Sequence, residues 1–177
     1  MSIRSKFTPL NEATQGVGGA CNLGIFLTRH HRTGTICVEK RVHPRAIDKG
    51  DAETEANAMK QCDGHPNIIA LHSYTLEYRN TGYGSLFMQH AELGSLDALI
   101  TRFRDHRTAL PDEGFVWKIL CDCAVGLAHL QTGQDARTTR QHASNGTDVP
   151  RKHGWDPIFH RDLKVSVPCK NILQHTR

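Results

Sequence analysis

From Leu23 onward the apolar positions fall into short runs separated by polar turns. "LGIFLT" is an apolar run, "RHHRTG" is polar and closes on Gly34, and "TICVEKRV" alternates so that Ile36, Val38, Lys40 and Val42 share one face. The stretch from Gly16 to Val42 therefore predicts strand, turn, strand. Lys40 is the one charge on an otherwise apolar face, and an unpaired buried ammonium is costly. The next element offers a partner. "DAETEANAMKQC" has helical composition with Asp51 as N-cap, and its stripe of Ala52, Glu55, Met59 and Cys62 turns Glu55 inward and leaves Glu53 outside. An ion pair between Lys40 and Glu55 is the expectation.

Further along, "GHPNIIAL" reads as a turn entering a strand, and "GSLFMQHAEL" as a strand ending in a polar connection. Ser95 caps "LDALITRF", whose Leu96, Leu99, Ile100 and Phe103 lie on one helical face. A longer helix, opened by Pro111 and Asp112, carries a stripe of Phe115, Ile119, Cys123, Leu127 and Leu130. The polar stretch "TGQDARTTRQHASNGTDVPRKHGW" has no periodicity, and a disordered surface insert over about residues 132–152 is expected. Strands followed by helices make this an α+β chain.

Composition narrows the function classes. The 177 residues suffice for one domain or two small lobes, 38% of them are hydrophobic, and the net charge is +4. Lys and Arg are scattered, which argues against a nucleic-acid partner. The first residues hold no apolar signal-peptide core, and "FVWKILCDCAVGLAHL" is too short and too charged to span a bilayer. An intracellular chain, cytoplasmic or nuclear, without a membrane partner is the expectation. The six cysteines and twelve histidines show no metal-ligand spacing, and the cysteines read as reduced core thiols.

The order of a glycine-rich turn, a strand lysine, a helix glutamate, "HPNI", a strand running into "AELGSL", and "HRDLK" resembles the eukaryotic protein kinases. The resemblance runs from about Gly16 to Lys164. It is closest to the serine/threonine branch, because Lys164 follows Asp162 by two residues, and it is similar to fungal and never-in-mitosis-related kinases. It implies a small lobe of antiparallel sheet plus one helix over residues 1–90, and an incomplete, mainly helical large lobe over 91–177. It implies ATP and Mg²⁺ as cofactors, and a protein substrate presenting serine or threonine. Gly16, Gly18 and Gly19 would supply part of the phosphate-covering hairpin. Lys40, fixed by Glu55, would hold the α and β phosphates. Val38 and Met88 would line the adenine pocket, and Gln89 to Ala91 would form the hinge that bonds adenine through its backbone. Asp162 would orient or deprotonate the substrate hydroxyl, Lys164 would steady the transferred phosphate, and Asn171 would be the metal ligand.

The chain departs from the family pattern in three places. Read from Gly16, the third glycine is replaced by Cys21 and the valine by Leu23. Read back from Lys40, Ala20 and Leu23 fall on glycine positions. Asn171 stands nine residues after Asp162, where the pattern has about five. No Asp-Phe-Gly follows before Arg177. Two explanations stand for "KVSVPCK". It is translated intron, since a GTGAGT donor reads Val-Ser in frame at Val165-Ser166, or it is a four-residue insertion that displaces Pro168 and "NIL". The sequence thus predicts a kinase-family chain that is catalytically incomplete. The alternative is a non-catalytic nucleotide- or partner-binding module.

Overall fold

The computed structural model describes residues 2–14, 22–92, 94–108, 112–161 and 163. The chain divides into two compact units, one formed by Met1–Asp63 with Ala70–His90, the other by Gly64–Ile69 with Ala91–Arg177.

The first unit is built on a five-stranded antiparallel sheet in the order β1-β2-β3-β5-β4, with β1 at Phe7–Thr14, β2 at Asn22–His30, β3 at Ile36–Val42, β4 at Leu71–Thr75 and β5 at Gly84–Gln89. Strands β2, β3 and β5 lie where the apolar runs predict them, and β4 starts at Leu71, the last residue of the apolar run after "GHPN". β1 does not announce itself, because Pro9, Asn11 and Glu12 break its pattern. Its place at the sheet edge is what makes a proline tolerable, and the register slips at that point.

Two helices follow β3: α1 at Pro44–Asp48 and α2 at Asp51–Gln61. The sequence reading foresaw only the second. His43 caps α1 by accepting from Arg45 N–H, and Pro44 stands in its first turn. Gly50, not Asp51, is the N-cap of α2, and Asp51 lies in its first turn. One face of the sheet meets both helices, and Val42, Ala46, Ala52, Ala56 and Leu86 form the core there. Gly84 sits tightly in this packing: a Cβ would come within 2.8 Å of the tip of the Ile47 side chain, which would have to turn aside, and 3.3 Å of the Thr75 carbonyl.

The opposite sheet face is covered by the N-terminal segment, which makes a single 3-10 turn at Arg4–Lys6 before entering β1. Phe7 stacks on Phe87 with ring centroids 3.8 Å apart, and Cys37 and Ile3 complete this second core. Beside it Glu39 is buried. It accepts from Ser85 Oγ at 2.7 Å and from Arg41 Nε at 3.2 Å, while Arg4 Nε donates to Ser85 Oγ at 3.0 Å. Simple alternation along β3 would have left Glu39 in water. The covering segment instead buries it, and these bonds offset the cost.

The second unit contains α3 at Leu96–Asp105, α4 at Glu113–Thr132 and α5 at Ala136–Ser144. Ser95 caps α3 by accepting from Ala98 N–H, and Asp112 caps α4 by accepting from Phe115 N–H. Phe115, Ile119, Leu127 and Leu130 of the expected α4 stripe are half-buried, but the most deeply buried face is shifted from it. Val125, Gly126 and His129 are buried and Cys123 is exposed. The Gly64–Ile69 loop explains the shift. Its Asn67 side chain donates to the Asp122 carbonyl at 2.9 Å, and its backbone lies over Gly126. The other side of α4 exposes Val116, Trp117 and Leu120.

The stretch 132–152 is not without regular structure, for it holds α5. Asp135 caps that helix, accepting from Thr138 N–H at 2.8 Å, and Arg140 reaches Asp122 on α4 at 2.9 Å. Buried Ala136 and Thr139 face inward at a helical spacing of three. The pattern was invisible because the buried residues are small or polar. Among the described residues, no helix is long and apolar enough to cross a membrane.

Candidate functional site

The expected charge pair is present in the first unit. β3 runs through the middle of the sheet and places Lys40 on the face that meets α2, one residue pair from the core residue Val42. Glu55 sits one helical turn after Ala52 and beside Ala56, both fully buried, so its carboxylate stays at the margin of the packed face. Lys40 Nζ donates to Glu55 Oε1 at 2.6 Å and to Oε2 at 2.8 Å. Neither side chain is sealed off, with 25% of the lysine and 39% of the glutamate exposed. An ammonium has three N–H donors. Among the described residues two of them are taken, both by the carboxylate, and the third is open to an anion arriving from solvent.

The floor beside this pair is apolar. Val38 precedes Lys40 by two residues and lies opposite Met88 on β5 and Leu27 on β2, while Lys40 lies opposite Leu86 and Ile25. Val38 and Met88 are only half-buried. Antiparallel pairing puts these side chains on one surface, so a half-open apolar patch adjoins a fixed ammonium. Gln89 ends β5 half-buried, its N–H bonded to the Ala70 carbonyl at 2.9 Å. Ala91 belongs to the second unit.

Several expected site residues lie outside the described residues: Gly16, Gly18 and Gly19, and also Asp162, Lys164 and Asn171, the last of these being the expected metal ligand. The same is true of the Val165-Ser166 break. The strands flanking the three glycines, β1 and β2, are antiparallel neighbours. Arg161, immediately before Asp162, has φ of +60°, a left-handed backbone that a non-glycine residue rarely takes. Among the described residues no group of three metal-ligating side chains occurs.

The second unit contains polar clusters that the sequence reading missed. His65 and His129 stack with centroids 4.3 Å apart, and Trp155 meets His129 edge-on. His129 Nδ1 lies 2.7 Å from the Gln134 carbonyl, which can only accept, so Nδ1 carries the proton. Asp122 accepts from Lys118 at 2.7 Å and from Arg140 at 2.9 Å. The only sequence signal for these was negative: a histidine and an aspartate interrupting an apolar helix.

The thiols divide by depth. Cys37 and Cys62 are buried, and desolvation raises both, the Cys62 thiol to about 11. Cys121 and Cys123 are exposed, against the expectation of core thiols.

Compared with known protein families and with curated proteins, the chain matches none.

Proposed function

We propose that the chain is a serine/threonine protein kinase family member, and that its first unit is an adenine-nucleotide-binding small lobe. The observation that carries this reading is the Lys40–Glu55 pair, held between β3 and α2 with one ammonium donor to spare. A purely structural ion pair has no need of an adjoining half-open apolar patch, and Val38 and Met88 provide one. In this reading the adenine ring rests on that patch, Lys40 takes phosphate oxygens, and Glu55 keeps the lysine from swinging into solvent. ATP supplies the phosphoryl group, destined for a protein hydroxyl. The resemblance assigns Asp162 to orienting that hydroxyl and Lys164 to steadying the phosphate, with Asn171 facing Mg²⁺. The left-handed Arg161 next to Asp162 supports a functional loop there, since strained backbone concentrates at such sites.

Asp-Phe-Gly does not occur among these 177 residues, so in this reading a polypeptide of these residues alone binds nucleotide without turning it over. Calorimetric titration with ATP, with and without Mg²⁺, tests this. The expected result is binding that Lys40→Met weakens about tenfold or more, with no phosphate released. Absence of binding at millimolar ATP overturns the nucleotide site and leaves a partner-binding module. Phosphate transfer that disappears in Asp162→Asn overturns the inactivity.

A further inference from the structure

The chain neighbours of Lys40 are bonded to each other on the opposite face of the sheet. Strand alternation sends Glu39 and Arg41 to that face, and Arg41 Nε donates to Glu39 Oε2 at 3.2 Å. The Arg41 guanidinium lies over two rings, 3.7 Å from the centre of Phe26 and 4.5 Å from that of Tyr83. Ser85 stands opposite Arg41 on β5, and Ser85 Oγ donates to Glu39 Oε1 at 2.7 Å. β3 is therefore held by side chains immediately before Lys40 and immediately after it.

Arg4 completes this network. Its Nε donates to Ser85 Oγ at 3.0 Å, and one of its terminal nitrogens donates to the Glu77 carbonyl at 2.7 Å and to the Tyr83 carbonyl. A guanidinium can only donate. Ser85 Oγ must accept from it, and its single hydroxyl proton is thereby turned to Glu39. Without Arg4 that hydroxyl is free to rotate away and the buried carboxylate keeps only Arg41. Stability alone does not ask for such a network, because apolar side chains of similar volume usually close a buried face as well. A buried polar network in which both carboxylate oxygens are bonded does something else: it fixes one geometry. The geometry fixed here is that of Glu39 and Arg41, with Lys40 between them.

We propose that Arg4 is a positioning residue for the Lys40 site, setting through Ser85 and Glu39 the place at which the Lys40 ammonium meets an anion. This rests on the nucleotide reading of that site. Coupling between two places in one molecule is reciprocal, so nucleotide bound at Lys40 also holds the Arg4 segment more firmly. The test measures ATP affinity by calorimetry in the full chain and in Arg4→Ala, Arg4→Lys and Tyr78→Phe. The last of these loses a bond to Asp48 elsewhere in the same unit. Arg4→Ala is expected to bind about fivefold or more weakly. Arg4→Lys keeps the charge without the planar fork and should fall between, and Tyr78→Phe should match the parent. In the parent, saturating ATP should slow exchange of the Lys6 amide, which donates to the Ile3 carbonyl. A segment that only stabilises the fold would move neither the affinity of folded Arg4→Ala nor the Lys6 exchange. Affinity in Arg4→Ala equal to the parent's, or an equal loss in Tyr78→Phe, overturns the inference and leaves the nucleotide site standing. If Arg4→Ala fails to fold by circular dichroism, the Lys6 amide of the parent decides, and no slowing there overturns the inference. No ATP binding by the parent overturns the reading of the site, and this inference with it.

Discussion

Lys40 Nζ and the carboxylate of Glu55 meet through two hydrogen bonds, of 2.6 and 2.8 Å, with both side chains open to solvent. A pair of this kind adds little to stability, on the order of 1 kcal/mol or less. A double-mutant cycle of Lys40→Met and Glu55→Leu, followed by urea unfolding, should therefore show coupling below about 1 kcal/mol. The same two variants should differ sharply from the parent in nucleotide affinity. Large coupling with unchanged affinity would mark the pair as structural only.

On the other sheet face the balance is reversed. Glu39 is buried, and Ser85 Oγ is its shortest partner at 2.7 Å. Ser85→Ala leaves a carboxylate oxygen without its donor in a site water does not reach, which costs about 1–3 kcal/mol. Arg4→Ala frees the covering segment from Ser85 and from the Glu77 and Tyr83 carbonyls. Both tryptophans lie in the second unit, so fluorescence would miss the effect. Hydrogen exchange of β3 and β5 amides reads it, and both variants should exchange faster there. Unchanged exchange in both would show that the segment is dispensable.

Gly133 ends α4 with φ of +72°, and a Cβ there would run into the Trp155 ring. Gly133→Ala meets two penalties, about 1 kcal/mol for the left-handed backbone and displacement of the indole from the Leu130 carbonyl. With Trp117 replaced by Phe, the Trp155 emission should shift to the red and the midpoint of thermal unfolding should fall. An unchanged spectrum would place the indole elsewhere.

The elements best seen in the sequence are those whose signal is local. Alternation marked β3, an inward stripe marked α2 with its Glu55, and Ser95 and Asp112 marked the starts of α3 and α4. What was hidden depends on distant partners. β1 is a strand because β2 lies beside it, and Glu39 is buried because Arg4, thirty-five residues earlier, brings a cover. α5 packs through Ala136, Thr139 and the Arg140–Asp122 pair, none of which raises a hydrophobic period. Most of the α4 stripe holds, but its deepest positions, Val125, Gly126 and His129, lie under the Asn67 loop, a contact no helical wheel contains. Of the expected site, only the Lys40, Glu55, Val38 and Met88 cluster is brought together within the described residues. Periodicity reached Lys40, Val38 and Glu55, while Met88 entered only through the resemblance.

The thiols should separate on labelling. Brief alkylation at mildly alkaline pH should modify Cys121 well before Cys37 and Cys62, read by mass spectrometry of peptides. Burial holds the Cys62 thiol protonated up to about 11, against 9.0 for an ordinary thiol. A folded-state value above the unfolded one means that the neutral thiol's contribution is complete below pH 9.0 and is lost as pH climbs toward 11. Cys62→Ala should flatten that alkaline loss relative to the parent. Equal slopes above pH 9.0 in the two proteins would contradict it.

Asp135 decides whether α5 is a stable helix. Its carboxylate accepts from Thr138 N–H at 2.8 Å and from Thr138 Oγ at 3.0 Å, closing the first turn. The backbone bond, then the hydroxyl bond, holds this carboxyl below its ordinary value of 3.8. The folded value is thus lower than the unfolded one, so the cap is fully effective above pH 3.8 and fails as pH falls through the folded value. Amides of Ala136–Ser144 should be protected at neutral pH, and protection should drop in Asp135→Ala. Asp135→Asn keeps an acceptor but not the charge, so it should retain most of the protection and lose the acid sensitivity. NMR-detected exchange over these residues, with the Thr138 amide shift followed through the acid range, makes the measurement. Neutral-pH protection no greater than that of an unfolded chain would mean that α5 does not persist in solution. It would also remove the Arg140 brace from Asp122.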